Sequence, residues 1–334
     1  MRLATPRWWY VRRGAPAPVT RALLRPVSWI WAWATARRIA RGRPTDPGAP
    51  VICVGNLTMG GTGKTPIVRA LAARLTARGR APLILSRGYG GKLRGPVKVD
   101  PRRHSAAEVG DEPLMMAADA PVWVARDRAA GALAAADGGG VIIMDDGFQN
   151  PSVRKTLSIV VVDGETRNDE WPFGDSSVFP SGPMREPLAT GLARADAVVV
   201  MLPADVAAPD PELKAVFGGK PVLVARLAPV NGVPSGRRLA FAGIGKPWKM
   251  ELALKAAGCD LADFAPFPDH AVLSEGTLRF LAGRAEAMGA TLLTSEKDWV
   301  RLPAAWRARV TPWPVRAVFE DEAALDGLLS RFGF

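Results

Sequence analysis

From residue 51 onward, short runs of consecutive apolar residues alternate with stretches in which apolar positions recur every three to four residues. A run that is apolar at every position is typical of a strand buried on both faces, and the longer spacing is typical of a helix. The helical spacing covers residues 65–77, and the apolar runs lie at residues 51–54, 82–85, 121–124, 141–144, 156–162, 197–201 and 221–225. The alternation predicts an α/β fold with a mostly parallel sheet, covered by helices on both faces.

The composition changes at residues 226–238, RLAPVNGVPSGRR, where Pro, Gly and Arg replace the apolar runs. We interpret this stretch as a linker. A second, smaller α/β unit is predicted after it, with strands at residues 239–242 and 291–294 and a helix near 248–257. The predicted domains are therefore an N-terminal segment at 1–45, a larger domain at 46–230 and a smaller domain at 235–334.

The N-terminal segment is basic and rich in tryptophan. Residues 1–50 contain ten Arg and one acidic residue, and they hold five of the eleven Trp. Because Arg attracts anionic headgroups and indole rings favour the bilayer interface, this pattern predicts a membrane-associated helix over residues 21–43.

Other interpretations of this segment compete with a membrane-associated helix. Its apolar run, residues 26–36, is shorter than the roughly 20 residues that a spanning helix needs. A secretory signal peptide would begin its apolar run nearer the chain start. A nucleic-acid-binding arm would also be basic, but alternate Trp residues are unusual there. A spanning helix and a helix packed on the protein's own core remain alternatives to the preferred interfacial helix.

The stretch VGNLTMGGTGKTP at residues 54–66 joins the first predicted strand to the first predicted helix. It matches a phosphate-binding loop, G-x-x-x-x-G-K-[ST], except that Thr58 stands where the first Gly is usual. In such loops backbone N–H groups bind phosphate oxygens, the Lys meets the β- and γ-phosphates, and the hydroxyl ligates Mg²⁺. The predicted nucleotide-binding residues are Thr58, Gly60, Gly61, Thr62, Gly63, Lys64 and Thr65, with Thr65 also a predicted magnesium ligand.

Asp145 and Asp146 follow the fourth apolar run and resemble the acidic element that holds Mg²⁺ in phosphate-loop enzymes. Successive strand residues point in opposite directions, so both acids can serve only if the strand has ended. The alternative is that one of them caps the following loop. Taken alone, Asp111 in VGDEP indicates a helix cap, and His270, one of two His, indicates a structural residue.

Taken together, the chain resembles the tetraacyldisaccharide 4′-kinases, the lipid A 4′-kinases. The matching stretches run in the family's order from residue 55 to about 302: GNLTMGGTGKTP, SRGYGG, VGDEP, DDGFQN, FPSGPMREP, FAGIGKP, FPDH and TSEKDWVRL. The glycine-rich loop is weakly specific, whereas DDGFQ, FPDH and TSEKD in combination are highly specific. Two departures stand out: Asn150 replaces the His that usually follows DDGFQ, and Ala271 replaces a frequent second His after FPDH.

The resemblance implies transfer of the γ-phosphate of ATP to the 4′-hydroxyl of an acylated glucosamine disaccharide 1-phosphate. It implies that Asp111 and His270 act together at that hydroxyl, that Asp145 and Asp146 are catalytic and bind Mg²⁺, and that Gln149 contacts the nucleotide. We expect residues 171–187 to contact the acyl chains or the glucosamine, with Arg185 near the 1-phosphate.

The expected location is the cytoplasmic face of the bacterial inner membrane, as a peripheral or monotopic protein. Two Cys and no disulfide framework fit a reducing compartment. The expected partners are the lipid substrate and the anionic membrane surface, with the chain a monomer and without nucleic acid.

Two other functions compete with the kinase. One is a membrane-associated ATPase of the partitioning or division-site type, which usually has Lys where this chain has Met59 and lacks a second domain with FPDH. The other is a binding protein without catalysis. Clustered charge beyond the N-terminal segment would favour that function.

Overall fold

The computed structural model describes residues 6–14 and 16–334. Residues 1–5 and Ala15, which belong to the predicted N-terminal segment, lie outside the described residues. A 3₁₀ turn at Arg7–Tyr10 precedes twelve α-helices within the described residues: α1 Pro18–Ala40, α2 Lys64–Ala77, α3 Ala106–Val109, α4 Asp111–Met116, α5 Arg128–Ala136, α6 Leu188–Ala193, α7 Pro211–Val216, α8 Pro247–Ala256, α9 Glu275–Ala287, α10 Glu296–Trp299, α11 Ala304–Arg307 and α12 Glu322–Arg331.

The larger of two sheets has nine strands in the order β13-β8-β7-β6-β1-β5-β2-β4-β3. Its strands are β1 Val51–Gly55, β2 Pro82–Ser86, β3 Val97–Lys98, β4 Val122–Val124, β5 Val141–Asp145, β6 Leu157–Asp163, β7 Ala197–Leu202, β8 Val222–Pro229 and β13 Val315–Phe319. The two edge strands, β3 and β13, pair antiparallel, and the neighbours between them pair parallel. The seven apolar runs of the sequence are all strands of this sheet, so the predicted fold class is confirmed.

Two layers of helices cover this sheet, because its central strands bury alternate residues on opposite faces. Ile52 and Val54 pack with the apolar side of α2 and with α12, whereas Val51 and Cys53 pack in a second core with α5, α6 and α7. This burial on both faces explains why these strands are apolar at every position.

The smaller sheet has four parallel strands in the order β10-β9-β11-β12. They are β9 Arg238–Ala242, β10 Leu261–Pro266, β11 Thr291–Ser295 and β12 Val310–Trp313. The predicted domain boundaries remain a prediction, and the strands depart from them at one place. Residues 315–334 were assigned to the smaller unit, but β13 pairs with β8 of the large sheet and α12 packs on that sheet's core.

Helix α1 is amphipathic in an unusual sense, since its polar side faces the protein. Its three buried residues, Arg21, Ser28 and Thr35, are seven apart and lie on one side. Its exposed large apolar residues are Val19, Leu23, Val27, Trp29, Ile30, Trp31 and Trp33. Across the described residues, no helix combines the length and apolarity needed to cross a membrane.

Candidate active site

The glycine-rich loop connects β1 to α2 at the carboxyl edge of the large sheet, where ligands bind in such folds. Gly60 and Gly63 have φ angles of 87° and 86°, which a side chain would strain. A Cβ at Gly63 would also lie 3.0 Å from the side chain of Met201. The loop ends at Lys64, the first residue of α2, so backbone N–H groups of the first turn are available for phosphate oxygens.

Thr58, which replaces the usual first Gly, is buried and makes a β-bridge with Met184. Its carbonyl accepts hydrogen bonds from Asn56 Nδ2 at 2.8 Å and from Arg185 Nε at 3.0 Å. The loop entry is therefore held by residues 184–185 instead of by a glycine turn. Thr62 Oγ1, further along the loop, is buried without a hydrogen-bond partner among the described residues.

The strand β5 ends at Asp145, and Asp146 turns the chain with a φ of 51°. Burial would raise the pKa of Asp146, but Lys64 Nζ at 3.8 Å and Arg185 Nη1 at 2.7 Å lower it to about 2. Asp145 is buried; Ser86 Oγ donates to its Oδ2 at 3.3 Å, and its Oδ1 has no partner within the described part of the chain. Burial, with the charges of Glu112 and Asp146, raises the pKa of Asp145 to about 7.

Asp111 and His270, 159 residues apart, are in direct contact. His270 Nδ1 lies 2.8 Å from Asp111 Oδ2, and the Glu112 N–H donates to Asp111 Oδ1 at 3.0 Å. Burial would raise the pKa of Asp111, but the His270 hydrogen bond and the positive charge of Lys297 lower it below its usual value. His270 has a φ of 58°, and the Tyr89 ring lies 5.6 Å from its ring.

Lys297 is in contact with His270, although the sequence analysis does not name it as a site residue. Its Nζ lies 3.1 Å from Glu112 Oε1, 3.2 Å from Asp269 Oδ1 and 3.3 Å from His270 Nε2. The sequence signal that could have identified Lys297 is the TSEKD segment, in which Ser295 caps α10 by accepting from the Asp298 N–H. That cap fixes the start of α10 and so the direction in which Lys297 projects.

Gln149, Asn150 and Arg185, which the sequence analysis singled out, all bind other residues of the protein. Gln149 Nε2 donates to the Asn56 carbonyl at 2.9 Å and to Glu186 Oε1 at 3.0 Å, so its amide nitrogen braces the end of β1. Asn150 Oδ1 accepts from both the N–H and the hydroxyl of Ser152, which makes this departure a turn cap. Arg185 is bound to Asp146 and the Thr58 carbonyl, on the side of the phosphate loop.

The smaller unit reaches the phosphate loop through the GIGKP turn at residues 243–247. A Cβ at Gly245 would lie 3.7 Å from the Gly61 nitrogen. The ammonium groups of Lys246 and Lys249 approach Asp163, at the end of β6, to 2.7 and 2.8 Å. The two units therefore enclose the site between the phosphate loop and the FPDH turn.

The family model described as tetraacyldisaccharide-1-P 4′-kinase matches residues 20–332. The chain belongs to the tetraacyldisaccharide 4′-kinase family. The predicted resemblance and the predicted class of enzyme, an ATP-dependent kinase, are thereby confirmed.

Relatives and a solved structure agree with this placement. Tetraacyldisaccharide 4′-kinases of Caulobacter sp. strain K31 and Phenylobacterium zucineum are 66% and 68% identical, over 100% of both chains in the first case and over 98% and 99% in the second. A crystal structure of LpxK from Aquifex aeolicus in complex with ATP superposes with a TM-score of 0.73 at 28% identity, covering 94% of this chain and 100% of that one. The domain boundaries, the roles of single residues and the magnesium ion remain predictions.

Proposed function

We propose that this protein binds ATP and transfers its γ-phosphate to the 4′-hydroxyl of an acylated glucosamine disaccharide 1-phosphate. The observation that carries the proposal is the Asp111–His270 pair, held at 2.8 Å beside a phosphate loop that the smaller unit overlies. A sugar hydroxyl is a poor nucleophile, and it needs a base within hydrogen-bond reach. Water exclusion between the two units would limit hydrolysis of ATP.

The phosphate side of the reaction would be bound by the loop and the first turn of α2. Backbone N–H groups near Gly61 and Gly63 would meet phosphate oxygens, and Lys64 would balance the charge of the transferred group. In this interpretation Gln149 acts on the nucleotide through the loop that it braces.

The residues present suit a magnesium ion, with Thr65, Asp145 and Asp146 as its ligands. The partnerless buried Oδ1 of Asp145 and the orphaned hydroxyl of Thr62 favour a polar occupant here. No cluster of three or more His, Cys, Asp or Glu that could hold a metal exists among the described residues, so phosphate oxygens would complete the coordination. Bound Mg²⁺ would neutralise charge on the phosphate oxygens.

On the acceptor side the Asp111–His270 pair would take the proton of the 4′-hydroxyl. The hydroxyl oxygen forms a bond to the γ-phosphorus, the bond from that phosphorus to the bridging oxygen breaks, and ADP leaves.

Because the lipid stays in the bilayer, we also propose that the exposed apolar side of α1 binds the anionic cytoplasmic face of the inner membrane. Residues 171–187, which contact α1 through Ser28 and Ser181, would then meet the lipid.

A transfer assay tests the proposal directly. The native protein is incubated with ATP labelled at the γ-phosphate and the disaccharide lipid in mixed micelles, and the products are separated by thin-layer chromatography. With the native protein we expect label on the lipid. With Lys64→Ala we expect none. Release of labelled phosphate on addition of vesicles alone, without labelled lipid, would favour the rival membrane-associated ATPase.

A further inference from the structure

A second cluster of cations lies beside the C-terminal end of α1, among residues that have no part in the proposed phosphate transfer. It lines a cavity of about 110 Å³ whose apolar walls are Ile39, Pro151 and Phe148, and whose polar walls include Lys155 and Arg194. A water molecule occupies roughly 30 Å³ of liquid, so this volume suits a few waters or one small tetrahedral anion. The donors that face each possibility decide between them.

Lys155 is a half-buried cation with a single hydrogen-bond partner. Its ammonium donates to the Phe148 carbonyl at 2.8 Å, lies 5.6 Å from the centroid of the Phe148 ring, and forms no ion pair within the described part of the chain. An ammonium has three N–H donors, so two of them have no acceptor among the described residues. Burial lowers the pKa of Lys155, and so does the charge of Arg194. An anion in the cavity would oppose both effects.

Arg194 brings further unused donors to the same cavity. Its hydrogen bonds to the two oxygens of Glu186, at 2.7 and 2.6 Å, both come from Nη2, and its guanidinium carbon lies 4.9 Å from the centroid of the Phe148 ring. Its buried Nε has no hydrogen-bond partner in the part of the chain that the structure describes. The other carboxylate nearby, Asp196, accepts the N–H of Ser158 at 2.8 Å and pairs with neither cation. Two cations thus share one carboxylate partner, Glu186, and keep N–H donors available.

We propose that this cavity binds one phosphate group, held by Lys155 and Arg194. Phosphate oxygens accept charge-assisted hydrogen bonds from both kinds of cation, and the planar guanidinium presents N–H donors in a geometry that matches them. A phosphate would also give the partnerless Nε of Arg194 an acceptor. Water would satisfy these donors as well, but it would leave the charge of Lys155 unbalanced.

The phosphate has two possible sources, the headgroup of an anionic phospholipid and free phosphate in solution. The lipid is favoured because Ile39 belongs to the last turn of α1, the helix whose opposite side carries the exposed apolar residues. A helix is roughly 10 Å across, so when its apolar side enters the acyl region its protein-facing side lies near the headgroups. Arg37 and Arg38, exposed in the same turn, add to the attraction for anionic lipid. The choice of source rests on the proposed membrane contact of α1, whereas the phosphate site does not.

Equilibrium dialysis of the full chain against ³²P-labelled orthophosphate tests the site. The phosphate loop is first filled with Mg²⁺ and a non-hydrolysable ATP analogue, so that labelled phosphate cannot bind there. We expect one phosphate per chain, and a dissociation constant raised about 10–100-fold in Lys155→Met, because a charge-assisted hydrogen bond is lost. Lys220→Met is the matched control, since that part-buried ammonium also donates to one backbone carbonyl, of Ala195 at 2.7 Å, but does not line the cavity. It should bind phosphate as the native protein does.

A short-chain phosphatidylglycerol, kept below its micelle concentration, distinguishes the two sources. If it displaces labelled phosphate at a concentration about tenfold lower than unlabelled phosphate requires, the site belongs to the lipid headgroup, because contacts beyond the phosphate then add at least 1.4 kcal/mol of binding free energy. Displacement no better than that by unlabelled phosphate would overturn the lipid source and leave free phosphate as the ligand.

Two results would overturn the inference. The first is a native protein that binds no labelled phosphate once the loop is filled, which would mean that the cavity holds water only. The second is a folded Lys155→Met variant with native affinity. If Lys155→Met does not fold, Ile39→Trp, which fills the cavity and removes no charge, replaces it, and native affinity in that variant would overturn the inference equally. An inactive kinase would instead overturn the proposed function and leave the dialysis result unchanged.

Discussion

The polar residues of the TSEKD segment each bind a different part of the molecule. Thr294 Oγ1 donates to the Phe241 carbonyl at 2.8 Å, and Asp298 Oδ2 accepts from the Gly243 N–H at 3.0 Å. Lys297 meets His270, and Glu296 binds Arg69 of α2. A change at any one of these positions should therefore give its own defect, at β9 and the GIGKP turn, at the Asp111–His270 pair, or in the contact between units.

At the residue scale, the first prediction concerns the Asp111–His270 pair. Asp111→Ala and His270→Ala should each lower kcat by about 10²–10⁴-fold, because each would remove part of the proposed proton-accepting unit. The double variant should lose little more than the worse single variant, since residues that act as a unit are non-additive. The measurement is a double-mutant cycle on kcat at saturating lipid, and losses that multiply would show that the two residues act independently.

At the element scale, α2 joins the phosphate loop to the smaller unit. Arg69, buried on α2, forms a two-pronged contact with Glu296, at 2.7 and 3.0 Å, and binds Asp119 as well. Arg316, just ahead of the final helix, also reaches Glu296, at 2.9 Å. Helix α2, which begins at Lys64, is therefore bound through Arg69 to Glu296, the neighbour of Lys297 in the chain.

We predict that Arg69→Met destabilises the protein by about 1.5–3 kcal/mol, because it removes charged hydrogen bonds from two partly buried carboxylates, which keep only Arg316 as a partner. Arg74→Met, one to two turns further along the same helix, removes an arginine that binds the partly exposed Asp326 and Glu322, and should cost only about 0–1 kcal/mol. Urea unfolding of both variants compares them directly. Equal losses would mean that the Glu296 contact has no special weight.

Helix α1 gives the second prediction at this scale. Leu23 and Ile30, 74% and 64% exposed, lie on the side opposite Arg21 and Ser28, so their replacement should leave the contacts with the protein intact. Leu23→Glu with Ile30→Glu should markedly weaken sedimentation with anionic vesicles, because charge is unfavourable in the interface. Phe280→Glu, at an equally exposed apolar site on α9, should bind vesicles as the native protein does. Unchanged binding of the α1 variant would place the membrane contact elsewhere.

At the scale of the whole molecule, a partly buried ion cluster joins the two units beside the site. Asp163 at the end of β6 accepts from Lys246 and Lys249 of the smaller unit. Burial would raise the pKa of Asp163, but the two ammonium groups lower it below its usual value. An acid with a depressed pKa stabilises the fold above its unfolded pKa and loses that contribution as the pH falls through its folded pKa.

Asp163→Asn should therefore unfold at lower urea than the native protein at neutral pH. The difference should persist down to about pH 4, near the pKa of an unfolded Asp, and shrink below it. Lys246→Met combined with Lys249→Met should reverse the sign of this pH dependence, because burial without the two ammonium groups raises the pKa of Asp163. A difference that is unchanged at pH 3 would show that Asp163 contributes by packing and not by charge.

The sequence could predict those features whose residues lie close together along the chain. The phosphate loop, the acids after β5 and the fully apolar strands are local patterns, and the structure has those elements where the patterns lie. Strand β10, LADFAP, is only half-buried and mixes polar with apolar residues, so it left no such pattern. Lys297 and Asp163 gain their meaning from partners 27 and 83 residues away, which single-sequence spacing cannot reveal.

The return of β13 to the large sheet has a practical consequence. The chain leaves this sheet at Pro229 and re-enters it at Val315, and these two residues are direct partners in an antiparallel pair. Antiparallel neighbours can be joined by a two-residue turn, so residues 230–314 form an insert whose ends already meet. An Asn-Gly turn in place of that insert should yield a shortened protein that still binds ATP, measurable by calorimetry, while phosphorylating no lipid. Such a protein would also report how much of the ATP affinity depends on the overlying GIGKP turn.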